Sequence, residues 1–456
     1  MPVDPLRAAI SQVLVLAEDH KAHPRLGPLI QEHGATLSPQ DQRLLREVAL
    51  GVHRNRSLLD RVIRALSRSH RLPRGEALAG LRSGLYQLLF LHRVSRPAVV
   101  DLTVGVIRAQ TDAHVAGFAN AVLRKVATAI TPLAADAPER ADPRQLVIER
   151  EDSAILVRLP QPLLPDPAVH PAEFLAVRYS HPPELVQRWL RRYPFAAVQE
   201  IAASGSVPPA THLRVNPLRT TRDALAAALQ AEGCPTEPGR HPLLLRVLSS
   251  AVPIGSQPFR AGWCTVQDTT ALSAVDLLDP KPGQRVLDLC AAPGTKTTAI
   301  AERMGDRGEV FAFDADPERL RRVTENAERL GLGSIRLLTS EAELTAALAT
   351  PFDRVLIDAP CSNTGVLGRR VEARWRFSAA ALKSLETVQR PLLVRGLSAL
   401  APKGVLVWST CSLEPEENEG LVATTPLGGR VLVEQLGLLP LHPYRDGGWA
   451  GKITAE

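Results

Sequence analysis

Residues 286–296 read VLDLCAAPGTK, and this stretch decides the fold of the second half of the chain. The apolar residues up to Leu289 are typical of a buried strand, and the following TKTTAIAERM is typical of a helix. Between them, Gly294 allows a tight turn in which the backbone approaches a ligand closely. Free N–H groups at the start of the helix favour electronegative ligand atoms. The stretch therefore predicts a strand, a turn and a helix that together bind a ligand.

Short apolar strands alternate with helical segments from about residue 266 onward. After the first strand come EVFAFDA, SIRLLT, RVLIDAP and GVLVWST. This alternation predicts a doubly wound, Rossmann-like α/β domain with a mostly parallel sheet and helices on both faces. Asp314 ends the second strand twenty residues beyond Gly294, where an acidic residue suits a ribose diol. Two glycines of a pyrophosphate-binding GxGxxG are missing, so S-adenosylmethionine fits better than a nicotinamide cofactor.

The length and composition of the chain narrow its class. Its 456 residues predict two or three domains, and 45% apolar with 22% charged residues is typical of a globular protein. There is no run of about 18 uncharged apolar residues and no apolar signal core at the N-terminus, so we expect neither a membrane nor a secreted protein. The five cysteines lie far apart, without a CxxC pair. We therefore expect a reduced, cytoplasmic protein without a metal site.

The excess positive charge lies in the first quarter of the chain. Residues 1–125 contain 18 lysines and arginines against 10 aspartates and glutamates, whereas the remainder contains 36 against 38. Residues 1–130 show helical periodicity throughout, and Ser38 followed by Pro39 predicts a helix start. Residues 54–74 hold seven arginines and a single carboxylate. A row of arginines on one side of a helix can follow a phosphate backbone, and a merely solvated, arginine-rich surface is the other interpretation.

Residues 131–182 differ in composition, because prolines and short apolar runs alternate there. Proline removes backbone donors and blocks regular helix, so we predict a proline-rich linker over this segment. Within it, QLVIEREDSAILVRL predicts a hairpin, because its apolar residues flank a polar centre. The predicted division is a helical domain at 1–130, this linker, a small mixed α/β domain at 183–265, and the doubly wound domain at 266–456.

Two further motifs follow strands of the predicted sheet. Residues 358–365 read DAPCSNTG, and residues 409–418 read STCSLEPEEN. The carboxyl ends of parallel strands meet at one edge of a sheet, so we expect Cys361 and Cys411 to face one site. A lone cysteine is more often a small buried apolar residue. Two cysteines, each at a strand end and within a polar turn, favour a chemical role instead.

A methyltransferase that acts on pyrimidines has a use for cysteine, because carbon 5 of the ring is a poor nucleophile. A thiolate that adds to carbon 6 pushes electron density onto carbon 5, and a base must later remove the proton there. Asp358 is placed to act as an acid near ring nitrogen 3. Lys296 either holds the base, lowers the pKa of a thiol through its charge, or is a solvent-facing helix lysine. The chemistry alone leaves open which of the two cysteines is the nucleophile.

The three motifs together resemble the NOL1/NOP2/Sun family of RNA cytosine-5 methyltransferases. Further matches lie outside the motifs, namely Gln267-Asp268, Asp316-Pro-Glu-Arg319, Asn326, Arg369, Trp375 and the terminal DGGWAGKI. Residues 1–130 look like the NusB RNA-binding helical domain, whose two best-known stretches correspond to LRSGLYQLLFLHRVSRPAVV and GFANAVLRKV. A NusB-like domain before this body is the layout of the bacterial 16S ribosomal RNA methyltransferases of the family. The resemblance covers nearly the whole chain except about residues 131–170.

The resemblance implies roles for individual residues. Cys411 would be the nucleophile on carbon 6, and Cys361 would assist release of the methylated product. The contacts to S-adenosylmethionine would come from Cys290, Ala291, Ala292, Pro293, Gly294, Thr295, Lys296, Asp314, Arg319 and Asp358, with Ser340 where the family usually has an acidic residue. Separately from the resemblance, the row of arginines predicts RNA contacts at Arg54, Arg56, Arg61, Arg64 and Arg68, and Arg369 is added to these predicted contacts.

We therefore predict a monomeric enzyme that methylates carbon 5 of a cytosine in 16S ribosomal RNA, without metal and away from membranes. Within the same chemistry, the alternative substrate is 23S ribosomal RNA or transfer RNA. The rival from a different class is a non-catalytic RNA-binding factor, and the presence of both cysteines, Asp358 and Lys296 argues against it. A nicotinamide-dependent dehydrogenase is disfavoured by the missing glycines.

Overall fold

The computed structural model of the chain describes residues 4–18, 25–67, 69–92, 94–150, 153–159, 161–249 and 253–455. The chain forms two compact units. The first unit comprises Met1–Val207 and Arg370–Arg376, and the second comprises Pro208–Arg369 and Phe377–Glu456. The division at residues 130, 182 and 265 stays a prediction.

The first unit begins with helices, as the periodicity of residues 1–130 predicts. They are α1 (Pro5–Leu16), α2 (Leu26–Gly34), α3 (Pro39–Arg54), α4 (Arg56–Leu66), α5 (Gly75–Phe90), α6 (Arg96–Gln110) and α7 (Ala113–Ala129). The predicted start of α3 is confirmed, since the hydroxyl of Ser38 accepts a hydrogen bond from the amide of Asp41 at 3.2 Å. Helix α5 is buried along most of its length. Gly51 on α3 allows the ring of Tyr86 on α5 to lie against the α3 backbone, where a Cβ would overlap it.

A small antiparallel sheet follows in the first unit. Its strands are β1 (Ile130–Leu133), β2 (Leu146–Glu149) and β3 (Ala154–Val157), with β3 in the middle and a 3-10 turn at Pro138–Ala141. The predicted hairpin is confirmed, because Ile148 of β2 pairs with Ile155 of β3. Helices α8 (Pro171–Arg178), α9 (Pro183–Arg192) and α10 (Phe195–Ser206) complete this part. The segment 131–182 thus contains strands and a helix, and Pro171 fits because it stands at the first helical position.

The second unit begins with a four-stranded antiparallel sheet in the order β5-β6-β4-β7. Its elements are β4 (His212–Val215), α11 (Arg222–Ala231), β5 (Thr236–Pro238), β6 (Leu244–Val247), α12 (Gln257–Arg260) and β7 (Cys264–Val266). Leu225 and Leu229 of α11 pack in one apolar cluster with Leu213, Val215 and Leu245 of the sheet. The mixed α/β character predicted for this region is present.

The rest of the second unit alternates strands and helices. Its elements are α13 (Thr269–Leu278), β8 (Arg285–Asp288), α14 (Thr295–Arg303), β9 (Glu309–Phe313), α15 (Pro317–Leu330), β10 (Ile335–Leu338), α16 (Glu341–Leu348), β11 (Phe352–Asp358), α18 (Ala379–Ser398), β12 (Leu400–Thr410), a 3-10 turn (Pro415–Glu417), α19 (Glu419–Ala423), β13 (Arg430–Leu438) and β14 (Gly448–Ala455), with α17 (Ala373–Arg376) belonging to the first unit. They build a seven-stranded sheet in the order β10-β9-β8-β11-β12-β14-β13. β14 runs antiparallel to both of its neighbours, whereas the pairs from β10 to β12 are parallel. The doubly wound fold is confirmed.

Both faces of this sheet are buried. Val286 of β8 lies in one apolar cluster with residues of α13 and α14, while its neighbour Leu287 lies in the other with residues of α16 and α18. Because both faces are covered, the central strands are continuous apolar runs, which is why the sequence reveals them. The strand order places β8, β11 and β12 side by side. Their carboxyl ends therefore share one edge.

Helix α17 carries a buried arginine of the first unit. The guanidinium of Arg374 donates to the carbonyl of Ser180 at 3.0 Å and to that of Gly205. The indole N–H of Trp375 donates to the carbonyl of His53 at 3.1 Å.

In the described ranges, no helix combines the length and the apolar character that crossing a membrane requires.

Candidate active site

The turn between β8 and α14 is shaped by Gly294. This residue has a φ of +99°, and a Cβ there would lie 3.0 Å from the Cα of Val323 on α15. Its N–H donates to the carbonyl of Ala291 at 2.7 Å. The side-chain amide of Asn326 donates to the carbonyl of Pro293 at 3.0 Å. The loop is therefore held tightly against α15, and only glycine fits at its last position.

Asp314 lies directly after β9 and beside this loop. Its carboxylate is 8% exposed and accepts the amide N–H of Ala292 at 3.1 Å. Arg319 lies 3.5 Å from Asp314 and donates to the carbonyl of Ala292 at 2.8 Å. The structure thus brings together three of the residues predicted to bind a cofactor.

Ser340 and Thr295, also predicted to bind a cofactor, have local structural contacts. The hydroxyl of Ser340 caps α16 by accepting the amide N–H of Glu343 at 3.2 Å, and the residue is exposed. The carbonyl of Thr295 accepts a hydrogen bond at 2.7 Å from Arg214, whose guanidinium also pairs with Glu302. Arg214 therefore connects the first turn of α14 to Glu302 near the end of the same helix, and sequence reasoning missed both residues.

Lys296 and Asp358 form an ion pair at 2.7 Å between α14 and the end of β11. The side chain of Lys296 is 12% exposed, so the interpretation as a solvent-facing lysine is wrong. Burial lowers the pKa of Lys296, but the carboxylate of Asp358 and its hydrogen bond outweigh this and raise the pKa above its usual value. The thiolate of Cys411 contributes in the same direction. The ammonium charge is therefore stable and lies near Cys411.

Asp288 is a second carboxylate beneath the loop, and sequence reasoning missed it. It is 1% exposed and accepts the hydroxyl of Thr297 at 2.7 Å. Burial raises the pKa of Asp288 to about 7; the hydrogen bond from Thr297 opposes this shift, and the charge of Asp358 adds to it. The signal in the sequence was an aspartate inside the apolar run VLDL.

Cys361 and Cys411 meet at the shared edge of the sheet, as predicted. Asp358 of β11 pairs with Ser409 of β12, so each cysteine stands just beyond a strand end. Their Sγ atoms are 3.2 Å apart, and both thiols are free. In the part of the chain that the structure describes, no group of three or more His, Cys, Asp or Glu could hold a metal ion.

Asn363 contacts both cysteines. Its side-chain amide donates to the carbonyl of Cys361 at 2.7 Å, and its Oδ1 accepts the thiol of Cys411 at 3.3 Å. The residue has a φ of +62°, which asparagine tolerates better than most residues. Sequence reasoning missed Asn363, although an asparagine two residues after a cysteine in a turn was a visible signal.

The two thiols have different electrostatic surroundings. A hydrogen bond to Cys411, burial and the negative charge of Glu417 raise the pKa of Cys361 well above its usual value. Cys411 instead lies near the ammonium of Lys296. The raised pKa favours the thiol form of Cys361, whereas Cys411 is the cysteine that lies near a positive charge.

Arg369 does not form a free cationic contact point. Its guanidinium donates to the carboxylate of Asp446 and to the carbonyl of Ala210, the latter at 2.9 Å, and lies 3.7 Å from Asp268. Burial raises the pKa of Asp446 to about 6, and the charge of Arg369 opposes this shift. The residue predicted to bind RNA is thus engaged with two carboxylates of its own unit.

The arginines of residues 54–74 do not form one row. Arg54 ends α3 and is 6% exposed, whereas Arg56 begins α4 and stacks over Trp375 at 4.9 Å. Arg61 donates to the carbonyl of Leu163 at 2.9 Å. Among the predicted contacts, Arg64 is exposed, and Arg68 lies outside the described residues. The prediction of one exposed row is corrected here, because the chain changes direction at Asn55 and packs part of the row inward.

Comparison with known proteins assigns three stretches of the chain. Residues 6–128 match the NusB family. Residues 181–254 match the ferredoxin-like domain of RsmF/B-like methyltransferases, and residues 275–427 match the family described as 16S rRNA methyltransferase RsmB/F.

Similar proteins extend over most of the chain. "Probable ribosomal RNA small subunit methyltransferase B" of Synechocystis sp. is 31% identical, covering 92% of this chain and 92% of its own. "Ribosomal RNA small subunit methyltransferase B" of Serratia proteamaculans is 33% identical, and the match covers 84% of this chain and 81% of the relative. The crystal structure of a methyltransferase homolog protein from Pyrococcus horikoshii is 26% identical and has a TM-score of 0.55, covering 64% of this chain and 100% of that one. The chain belongs to the ribosomal RNA small subunit methyltransferase B family.

Proposed function

We propose that this chain transfers a methyl group from S-adenosylmethionine to carbon 5 of a cytosine in 16S ribosomal RNA, through a covalent bond between Cys411 and carbon 6. The observation that carries the proposal is the pair of cysteine Sγ atoms, 3.2 Å apart, beside the Lys296–Asp358 ion pair. The names of the relatives support ribosomal RNA of the small subunit as the substrate.

The residues around the turn at Gly294 fit S-adenosylmethionine in their chemistry. The buried carboxylate of Asp314 can accept hydrogen bonds from a ribose diol. The loop offers no unpaired cation for a pyrophosphate, because Arg319 faces Asp314 and Lys296 faces Asp358. Residues 290–294, Asp314 and Asp358 would hold the cofactor, with Arg319 bracing the loop. When bound, S-adenosylmethionine supplies an electrophilic methyl group on a positively charged sulfur.

The two cysteines and the Lys296–Asp358 ion pair carry out the steps at the cytosine ring. The thiolate of Cys411, which lies near the ammonium of Lys296, adds to carbon 6 and makes carbon 5 nucleophilic. Asp358 lies at the same edge and can hold a proton near ring nitrogen 3. After carbon 5 carries the methyl group, a water molecule from solvent acts as the base that takes the carbon 5 proton. The electron pair of that C–H bond restores the ring double bond as the Cys411–carbon 6 bond breaks and its electrons return to the Cys411 thiolate. Cys361, held as a thiol, assists this release.

The first unit supplies the RNA contacts in this proposal. Residues 6–128 match the NusB family, and the first quarter of the chain carries the excess positive charge. Exposed arginines such as Arg64, Arg71 and Arg74 are the ones free to reach phosphates, since Arg54 and Arg369 are engaged with protein.

Bisulfite sequencing tests the proposal directly. The purified chain is incubated with S-adenosylmethionine and, separately, with 16S ribosomal RNA, 23S ribosomal RNA and transfer RNA, with Cys411→Ala as the control. We expect a single protected cytosine in the 16S RNA and none with the variant. A protected cytosine in another RNA would correct the substrate. In a parallel reaction with S-adenosylmethionine that is radiolabelled in its methyl group, label in a base other than cytosine would overturn the proposed reaction.

A further inference from the structure

Glu417 is a buried carboxylate behind the two cysteines. It lies in the 3-10 turn at Pro415–Glu417 and is 1% exposed. Its Oε1 accepts the backbone N–H of Ser362 at 2.8 Å and the side-chain amide of Gln389 at 3.0 Å. Its Oε2 accepts the hydroxyls of both Ser362 and Ser412. One carboxylate therefore binds the residues that directly follow Cys361 and Cys411.

These partners are all neutral. Within the described residues, no lysine, arginine or histidine nitrogen lies within 4.0 Å of the Glu417 carboxylate. Four N–H and O–H donors can stabilise a buried carboxylate without a cation. The carboxylate lies next to the loop of Cys361, and its negative charge is one of the influences that raise the pKa of Cys361.

Ser362 and Ser412 also bind each other, with their hydroxyl oxygens 3.0 Å apart. They belong to the loops after β11 and β12 respectively, which have no strand pairing with each other beyond Asp358 and Ser409. The N–H of Gly365 also joins the two loops by donating to the carbonyl of Cys411 at 2.9 Å. The hydrogen bonds to Glu417 add a fixed contact at the residues that directly follow the two thiols. A shift of about 1 Å between reacting groups can reduce a rate by about 100-fold.

We propose that Glu417 is a positioning residue that fixes the two cysteine loops to each other and, by its negative charge, makes the two thiols unequal. This inference rests on the proposed function, in which one cysteine attacks and the other assists release. The charged and titratable groups around the pair are Glu417 near Cys361, and Lys296 with Asp358 near Cys411. Removal of the Glu417 charge removes one of the influences that raise the pKa of Cys361 and leaves its burial and its contact with Cys411 in place.

Alkylation with iodoacetamide tests the charge. Each thiol is followed by peptide mass spectrometry in the full-length protein, without RNA or cofactor, between pH 7 and pH 10. Glu417→Gln keeps the shape and can still hydrogen-bond the serines. We expect the alkylation rate of Cys361 at about pH 8 to rise about tenfold, which is the effect of one pKa unit. The matched control is Glu416→Gln, the same change at the exposed neighbouring residue, for which we expect the parent rate.

Methylation by the same variants tests the positioning. For Glu417→Gln and for Glu417→Asp, which keeps the charge but shortens the reach, we expect kcat to fall at least about tenfold with KM for RNA within about twofold. Glu417→Asp should show the parent alkylation rate at Cys361, and it carries the test should Glu417→Gln fail to fold. The inference would be overturned if Glu417→Gln showed the parent alkylation rate at Cys361 and both variants showed the parent kcat.

The two hypotheses fail separately in this design. Alkylation is measured without RNA, so its result does not depend on which base is methylated. If the parent protein forms no 5-methylcytosine while Cys361 responds to Glu417→Gln, the proposed function fails and the role of Glu417 in setting thiol reactivity remains. If Cys411→Ala abolishes 5-methylcytosine while Glu417 variants behave as the parent, the positioning inference fails alone.

Discussion

The cysteine edge of the second unit and the arginine segment of the first unit respond differently to the same kind of sequence reasoning. Cys361 and Cys411 are 50 residues apart in sequence, yet their Sγ atoms lie 3.2 Å apart, as the motifs predict. Arg54 and Arg64 are separated by ten residues, yet one is buried and the other exposed. The position of a residue relative to a strand end therefore predicted its place in the structure better than its nearness to other residues along the chain did.

The difference has a physical reason. In a parallel sheet, a residue that follows a strand must lie at the carboxyl edge, so backbone topology alone places it. A residue on a helix surface faces solvent or protein depending on which other elements pack there, and the charge of an arginine does not indicate which of the two applies. Site residues at strand ends are therefore predictable, and binding residues on helices much less so.

The sharpest way to break the interpretation of the cysteine edge is to remove each thiol. Without the thiolate of Cys411 no bond to carbon 6 can form, so Cys411→Ala should abolish both methylation and any covalent RNA complex. Cys361→Ala should allow addition and methyl transfer but slow release, so that a covalent complex accumulates on a denaturing gel. Adduct in the Cys411 variant and none in the Cys361 variant would reverse the two roles.

Removal of the cation beside Cys411 should have the next largest effect. Lys296→Met keeps the length of the side chain but eliminates the positive charge that pairs with Asp358 at 2.7 Å. We expect the single-turnover rate to fall by about 100-fold or more, because the loss of one positioned electrostatic contact in an active site costs about that much. Lys296→Arg retains the charge and should lose less. A rate within about threefold of the parent for Lys296→Met would remove Lys296 from the chemistry.

The cofactor pocket should show a smaller effect, measurable without RNA. Asp314→Ala should weaken S-adenosylmethionine binding by about 1–3 kcal/mol in calorimetry, the cost of leaving buried donors without an acceptor. Asp314→Asn still offers an oxygen to the amide of Ala292 and therefore separates loop support from ribose binding. Equal affinity of the alanine variant and the parent would mean that Asp314 does not hold the ribose.

The features of the fold and of the site also fall into those that the sequence predicts and those that it does not. The central strands of the second unit were predictable because burial on both faces makes them apolar runs, and the cysteines because they follow such strands. Glu417 and Asn363 were missed because their role depends on partners in another loop, which no local pattern reveals. Arg369 was singled out because it matches the family, whereas its partners Asp446 and Asp268 are distant along the chain and no local pattern reveals them.

The arginine segment offers the smallest expected effect, and it contrasts the buried Arg54 at the end of α3 with exposed arginines further along the chain. Reversing the charges of Arg64, Arg71 and Arg74, all exposed, should weaken RNA binding and reduce the slope of log affinity against log salt by about 1 for each lost phosphate contact. Cofactor affinity and the thermal midpoint should stay at the parent values, because these side chains are solvated.

Arg54→Ala is the matched control for that experiment and should behave in the opposite way. Its side chain is 6% exposed, so truncation leaves a gap in the first unit and should lower the thermal midpoint while the salt slope stays unchanged. Filter binding over a range of salt concentrations, together with thermal unfolding, measures both quantities. If Arg54→Ala flattens the slope as much as the triple reversal does, burial is a poor criterion for excluding phosphate contacts here, and RNA recognition involves the inner face of α3 and α4.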